Sequence, residues 1–208
     1  MILSTLHSRI SRAIGRGSAY DAEIPDYVKE AALFIERNYT FQYMNRYSTF
    51  NLDADAAQPR LITLPTRIKR DNLIRLVLTD GSYSPLTKID PQQQTNLPTE
   101  PPTGYYLDGD TRIWLAQIPD QDYACEIFWT AFTTWPTDYS NEPWLAANAS
   151  DVLMAQTMTD MAPHLKDADL TALWGGKLTM HMKSLLDADL ELQEGNKSAV
   201  MHYGSTNP

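Results

Sequence analysis

The spacing of apolar residues changes twice along the sequence, from helical to alternating and back, and no other feature constrains the fold as strongly. Near the start, Leu6, Ile10 and Ile14 recur every fourth residue, with Ile2 one step earlier. This predicts a short amphipathic helix ended by Gly15 and Gly17, with Arg9, Arg12 and Arg16 off its apolar face. Pro25 suits the first turn of a second helix, whose face is Val28, Ala31, Ala32, Ile35 and Tyr39 and which runs to about Met44. Between residues 46 and 132 the period falls to two and β-branched and aromatic residues become frequent. Strands are expected at 61–64, before Pro65, and at 73–79, which runs through Asp80-Gly81 into a hairpin partner at 83–89. A second hairpin joins 105–107 to 111–116 around Asp108, Gly109 and Asp110. In the last strand, 123–130, Tyr123, Cys125, Ile127 and Trp129 share one face, and Phe128 on the other implies that both faces are covered.

Residues 90–103 hold Pro91, Pro98, Pro101 and Pro102 and three consecutive glutamines, so they form an exposed loop rather than a central strand. After a connector at 135–143, Met154, Met158, Met161 and Leu165 mark a helix that Pro163 interrupts. Asp167 is placed to cap the next helix, whose face is Leu170, Leu173, Trp174, Leu178, Met182, Leu185, Leu186 and Leu190 over about 30 Å. Gly175 and Gly176 inside that pattern imply a close backbone approach by a neighbour. The expected fold class is α+β: terminal helices forming a helical bundle with an inserted antiparallel β layer and an extended C-terminal tail. Residues 1–194 form one domain, with 1–45 and 140–194 helical and 46–135 the β insertion, and 195–208 are the tail.

Composition narrows the function. The 208 residues carry a net charge of -9, which opposes general binding to a phosphate backbone. The charge is uneven: +1 over residues 1–50, -4 over 51–137 and -6 over 138–208. No apolar run approaches the roughly 20 residues needed to cross a bilayer, so a soluble protein without membrane association is expected. Residues 1–19 have arginines, serines and no acid, which is also the composition of an organellar transit peptide. The lone Cys125 cannot form an internal disulfide and reads as a small buried hydrophobe.

No constellation carries catalysis. His7, His164, His181 and His202 lack the i, i+4 spacing that puts two imidazoles on one metal. Asp167 with Asp169, and Asp187 with Asp189, diverge by about 200° on a helix. Gly175-Gly176-Lys177 fails as a phosphate loop, because Thr171 stands in place of the first glycine and Leu178 in place of the magnesium-binding hydroxyl. Asp108-Gly109-Asp110 reads as a turn, lacking the further oxygen ligands of a calcium loop. Neither enzyme, metal site nor cofactor is therefore expected, although a site assembled from residues distant in sequence is an open alternative. Tyr105, Tyr106, Trp114, Trp129 and Trp135 cluster in or near the β part, and support a second alternative, a glycan- or protein-binding accessory module.

The order of several short pieces carries a resemblance. They are Arg12 in the first helix, Ile24-Pro25-Asp26-Tyr27 opening an Ala-rich helix that ends Ile35-Glu36-Arg37, and Leu64-Pro65. Gly104-Tyr105-Tyr106-Leu107 then precedes Ile113-Trp114-Leu115, and Phe128-Trp129 precedes Asn141-Glu142-Pro143-Trp144-Leu145. In this order and spacing, over almost the whole chain, the sequence resembles the head-to-tail adaptor (connector or head-completion) proteins of tailed bacteriophages. The resemblance implies a structural virion protein, assembled in the host cytoplasm, whose copies form a ring, commonly of twelve. That ring joins the portal protein to a tail or nozzle protein and continues the DNA channel, which DNA passes without specific binding. It also implies that the C-terminal tail docks on the portal. Ala199, Val200, Met201, His202 and Tyr203 are the residues for that contact, ordering on binding. The loop at 91–102 is longer than the pattern needs and suits a tail-side contact.

Overall fold

A computed structural model describes residues 3–93, 98–136 and 142–203. The chain forms two compact units, with boundaries between Tyr43 and Met44 and between Thr134 and Trp135.

One unit is helical. α1 (Leu3–Ile14) buries Leu3, Leu6, Ile10 and Ile14, and ends where Gly15 adopts φ 68°, a conformation that suits glycine. α2 (Ile24–Asn38) carries Pro25 in its first turn and buries Val28, Ala31, Ala32 and Ile35. It stops about six residues before the expected Met44: Tyr39 is extended, and Phe41 turns its ring into the core. Phe41, Tyr43 and Trp144 then stack in series, with centroids 5.7 Å and 3.9 Å apart. After the short α3 (Trp144–Asn148) comes α4 (Ser150–Met161), which is buried on nearly every side and packs against α1, α2, α3 and the last helix. An all-round apolar helix of this kind is a bundle centre. Pro163 ends it as expected, Lys166 turns the chain at φ 53°, and the Asp167 carboxylate accepts the Leu170 N–H at 3.0 Å as a cap.

The last helix, α5, runs over Ala168–Tyr203, about 54 Å. The residues at 195–203 are therefore helical rather than extended, and 204–208 lie outside the described residues. Beyond Gly195 this stretch has no glycine or proline until Tyr203, and one interior glycine costs only about 1 kcal/mol. Among the described residues nothing approaches Gly175 or Gly176: a Cβ at either would meet no atom within 4 Å. Among residues 168–194 only Trp174, Met182 and Asp189 are buried. The expected apolar face is present, but much of it is uncovered. Among the described residues, no helix is long and apolar enough to cross a membrane.

The other unit is two four-stranded sheets. β1 (Asn45–Leu52), β3 (Ile68–Val77), β4 (Tyr83–Pro85) and β8 (Tyr123–Ala131) form an antiparallel sheet in the order β1-β8-β3-β4. β2 (Leu61–Thr63), β5 (Thr87–Lys88), β6 (Gly104–Asp108) and β7 (Arg112–Leu115) form the second, in the order β2-β7-β6-β5, antiparallel except for β5 with β6. Both sheets feed one core, in which Ile74, Leu76, Cys125, Ile127 and Trp129 meet Ile62, Tyr105, Ile113 and Leu115. The fold class is thus α+β. Both expected hairpins form, turning on Gly81 and Gly109 at positive φ. The expected strand at 83–89 is divided between the sheets, because Pro85 has no N–H to continue a ladder and Leu86 turns inward. β1 was not among the expected strands; its outward residues are polar or aromatic, and it forms an edge paired to β8 over its whole length.

Candidate docking surfaces

Strand parity builds the first surface. With Cys125, Ile127 and Trp129 inward, Glu126 and Phe128 of β8 point away from the core, and register places Tyr47 of β1 and Leu73 of β3 on either side of Phe128. The Tyr47 and Phe128 rings lie 4.6 Å apart. One rung along, Arg75 faces Glu126, with Nη2 2.6 Å from its carboxylate, and the Tyr47 hydroxyl donates to the same group at 3.1 Å. The Arg75 guanidinium also stacks on Tyr83 of β4, 3.7 Å from the ring centroid. Tyr47 is 55% exposed and Tyr83 51%. The outer face expected to be covered is therefore open, and it combines Tyr, Phe and Arg, the residue types that concentrate binding energy at interfaces. Ion pairing and stacking hold its side chains in place.

A groove between α2 and α5, of about 380 Å³, is the second surface. Phe34 and Tyr39 form one wall, Met182 and Leu186 the other, and Gln156 of α4 contributes to the lining. Leu190, one turn beyond Leu186, is 53% exposed and extends the apolar strip. Gln156 is only 4% exposed; its amide donates to Asp160 at 2.9 Å, while its buried carbonyl oxygen accepts no hydrogen bond among the described residues. Burial raises the Asp160 carboxyl above its ordinary range, aided by the charge of Glu30. Lys183 and Asp187, one turn apart, stand at the rim and make no ion pair among the described residues.

The portal-contact residues Ala199, Val200, Met201, His202 and Tyr203 lie on the last turns of α5, and their side chains fall outside the described residues. The five aromatics singled out from sequence do not form one patch. Trp129 and Tyr105 are core residues, the Tyr105 hydroxyl donating to Asp71 at 2.6 Å. Trp114 lies beside Arg60 and donates to Asp108 at 3.2 Å. The residues that are exposed, Tyr47, Tyr83 and Phe34, were missed. For Tyr47 the signal was available, since it shares the parity opposite to the core face of its strand.

Candidate chemical groups are occupied structurally. Asp108 and Asp110 pair with Arg112 and Arg67 at 3.6 Å and 2.6 Å. His164 packs against the Tyr27 ring. Burial pushes the Cys125 thiol up to about 12, so the thiolate that would act as nucleophile is scarce at neutral pH. Among the described residues, no three His, Cys, Asp or Glu side chains are grouped to hold a metal ion.

No curated protein matches the chain. Among solved structures, a chain in the neck of an empty GTA particle, computed with C6 symmetry, is similar at 23% identity. The match covers 72% of this chain and 75% of that one, with a TM-score of 0.29. The sequence profile of the SU10 adaptor protein family matches residues 1–201, nearly the full length, and the chain belongs to that family.

Proposed function

We propose that this protein is a structural head-to-tail connector of a virion, and that the family match across residues 1–201 is the observation that carries the reading. Its copies, commonly twelve, form a ring that joins the portal to a tail or nozzle protein and continues the DNA channel. The C-terminal end of α5, with Ala199, Val200, Met201, His202 and Tyr203, docks on the portal as a helix. A 36-residue helix projecting an incompletely covered apolar face suits such a role. The exposed acids Asp187, Glu191 and Glu194 suit a channel component, because negative charge repels the DNA backbone and lets it slide. No catalytic step is involved.

The test is to find the chain in its native particles and crosslink from Tyr203. Crosslinks to a portal-like ring in a virus-sized particle are expected; recovery of the chain solely as a small species outside particles overturns the proposal. The open aromatic face of β1, β8, β3 and β4 favours a second reading, a glycan- or protein-binding module. Binding of oligosaccharides that is lost in Tyr47→Ala, by a chain absent from particles, would establish that reading instead.

A further inference from the structure

We propose that two copies of the chain pair through the free edge of β1, antiparallel and about a two-fold axis at Ser48, before the protein enters any ring. β1 is an eight-residue edge strand whose alternate residues Asn45, Tyr47, Thr49 and Asn51 are all exposed. The other edges are short or blocked: β2 and β4 have three residues and β5 two, Pro85 of β4 has no N–H, and β5 carries Lys88. β1 has none of these protections. It holds no proline or lysine, its pairing with β8 runs without a bulge, and Arg46 is its one charged residue.

Hydrogen-bond parity fixes which main-chain groups face the open edge. The Leu86 N–H donates to the Ile74 carbonyl at 2.8 Å and the Leu78 N–H to the Ser82 carbonyl at 2.9 Å, so Ile74 and the residues alternating with it bond towards β4. Arg75 therefore bonds towards β8, and its partner Glu126 towards β3. Cys125 and Ile127 then bond to Phe50 and Ser48 of β1, which leaves the N–H and C=O of Tyr47, Thr49 and Asn51 pointing outwards. The Arg46 guanidinium donates to the Asn45 carbonyl at 2.9 Å, in keeping with an oxygen that lies outside the ladder.

Such an edge is a template for a further strand, and β1 of a second copy fits it residue by residue. With the axis at Ser48, Tyr47 meets Thr49 and Asn45 meets Asn51, all with edge-facing groups, for about eight main-chain hydrogen bonds. Tyrosine opposite threonine is a favourable cross-strand pair, and the lone cation Arg46 meets the ring of Phe50 rather than another charge. The two sheets become one of eight strands, in the order β4-β3-β8-β1-β1-β8-β3-β4. Neighbours in a closed ring need a heterologous contact, whereas this one is two-fold, so the pairing belongs to the unassembled chain and does not rest on the ring reading.

The experiment uses the free full-length chain in sedimentation over a concentration series, with cysteine variants oxidised in parallel, the native Cys125 being buried. The two Ser48 Cα atoms lie about 4.5 Å apart across the axis, within disulfide reach. Ser48→Cys should therefore form a covalent dimer, while Asn51→Cys, which opposes Asn45, should not. Thr49→Pro removes only an edge-facing N–H, so the fold should persist by circular dichroism while dimerisation weakens by roughly 10-fold or more. A dimer that Thr49→Pro leaves unchanged, or crosslinking as fast in Asn51→Cys as in Ser48→Cys, overturns the pairing. A chain that stays monomeric at every concentration also overturns it; if Thr49→Pro then keeps the chain out of particles, the edge belongs to a strand of a different protein. All of these outcomes leave the ring reading standing, since that reading is decided in assembled particles.

Discussion

The β unit closes its core on itself, whereas the helical unit encloses one helix and leaves its longest one largely bare. In the β unit, inward residues of both sheets meet in one cluster, from Leu52 to Ala131, and the outer face is tied by the Arg75–Glu126 pair and its aromatic neighbours. In the helical unit, α4 is buried all round, while α5 covers little more than Trp174 and Met182. Apolar surface left exposed along a helix is costly in an isolated chain and useful in an assembly. The difference therefore separates a layer whose apolar residues cover one another from one whose longest helix leaves apolar residues exposed.

The comparison breaks most readily at the β core. Trp129→Ala should cost about 3–5 kcal/mol in a urea titration, by opening a cavity and removing the indole N–H bond to Thr66 at 3.1 Å. Leu190→Ala on α5 should cost no more than about 1 kcal/mol in the same titration, because half of the side chain is already in water; a loss as large as that of Trp129→Ala would mean that α5 is covered in the free chain.

Glycines give a smaller contrast of opposite sign. A Cβ at Gly104 would stand 3.2 Å from the Thr87 carbonyl oxygen and 3.3 Å from the Ala116 Cβ, so Gly104→Ala should destabilise by about 1–3 kcal/mol. Gly176→Ala meets open space inside a helix and should stabilise by about 0.5–1 kcal/mol, seen as a higher melting temperature.

The finest distinction is in pH. At Asp71 burial favours the neutral acid, but hydrogen bonds from Tyr105 and Lys88 outweigh it and hold the carboxyl below its ordinary range. Its contribution is complete above the unfolded value and is lost as pH falls through the folded one. Asp160 in the helical unit is raised instead, chiefly by burial, so its contribution is present at low pH and is lost as pH rises through the folded value. Acidification through the carboxylate range should thus weaken the β unit through Asp71 and relieve the helical unit through Asp160. Urea midpoints against pH for Asp71→Asn and Asp160→Asn check this: each variant should flatten the slope of its own unit, in opposite directions.

Elements whose apolar residues repeat without interruption were legible in advance. α1, the Val28-Ala31-Ala32-Ile35 face of α2, the Pro163 break, the Asp167 cap and the Tyr123-Cys125-Ile127-Trp129 face of β8 follow from spacing and backbone chemistry alone. β1 was less legible because an edge strand buries little, so its alternation is written in Tyr47, Thr49 and Asn51 rather than in aliphatic residues. The end of α5 was misread because the residues after Gly195 carry no apolar period, although nothing in them forbids a helix.

By itself, then, the sequence determined the α+β order, the hairpin turns at Gly81 and Gly109, and the resemblance to phage adaptors that the family match bears out. Only tertiary structure decided which apolar residues are covered. Leu186 and Trp174 share one helical pattern, yet one faces solvent and the other the core, because burial depends on what packs against a face and not on the face alone. The same holds for the aromatics: Trp129 and Phe128 are neighbours in the chain, and pleat parity sends one into the core and the other onto the open sheet face.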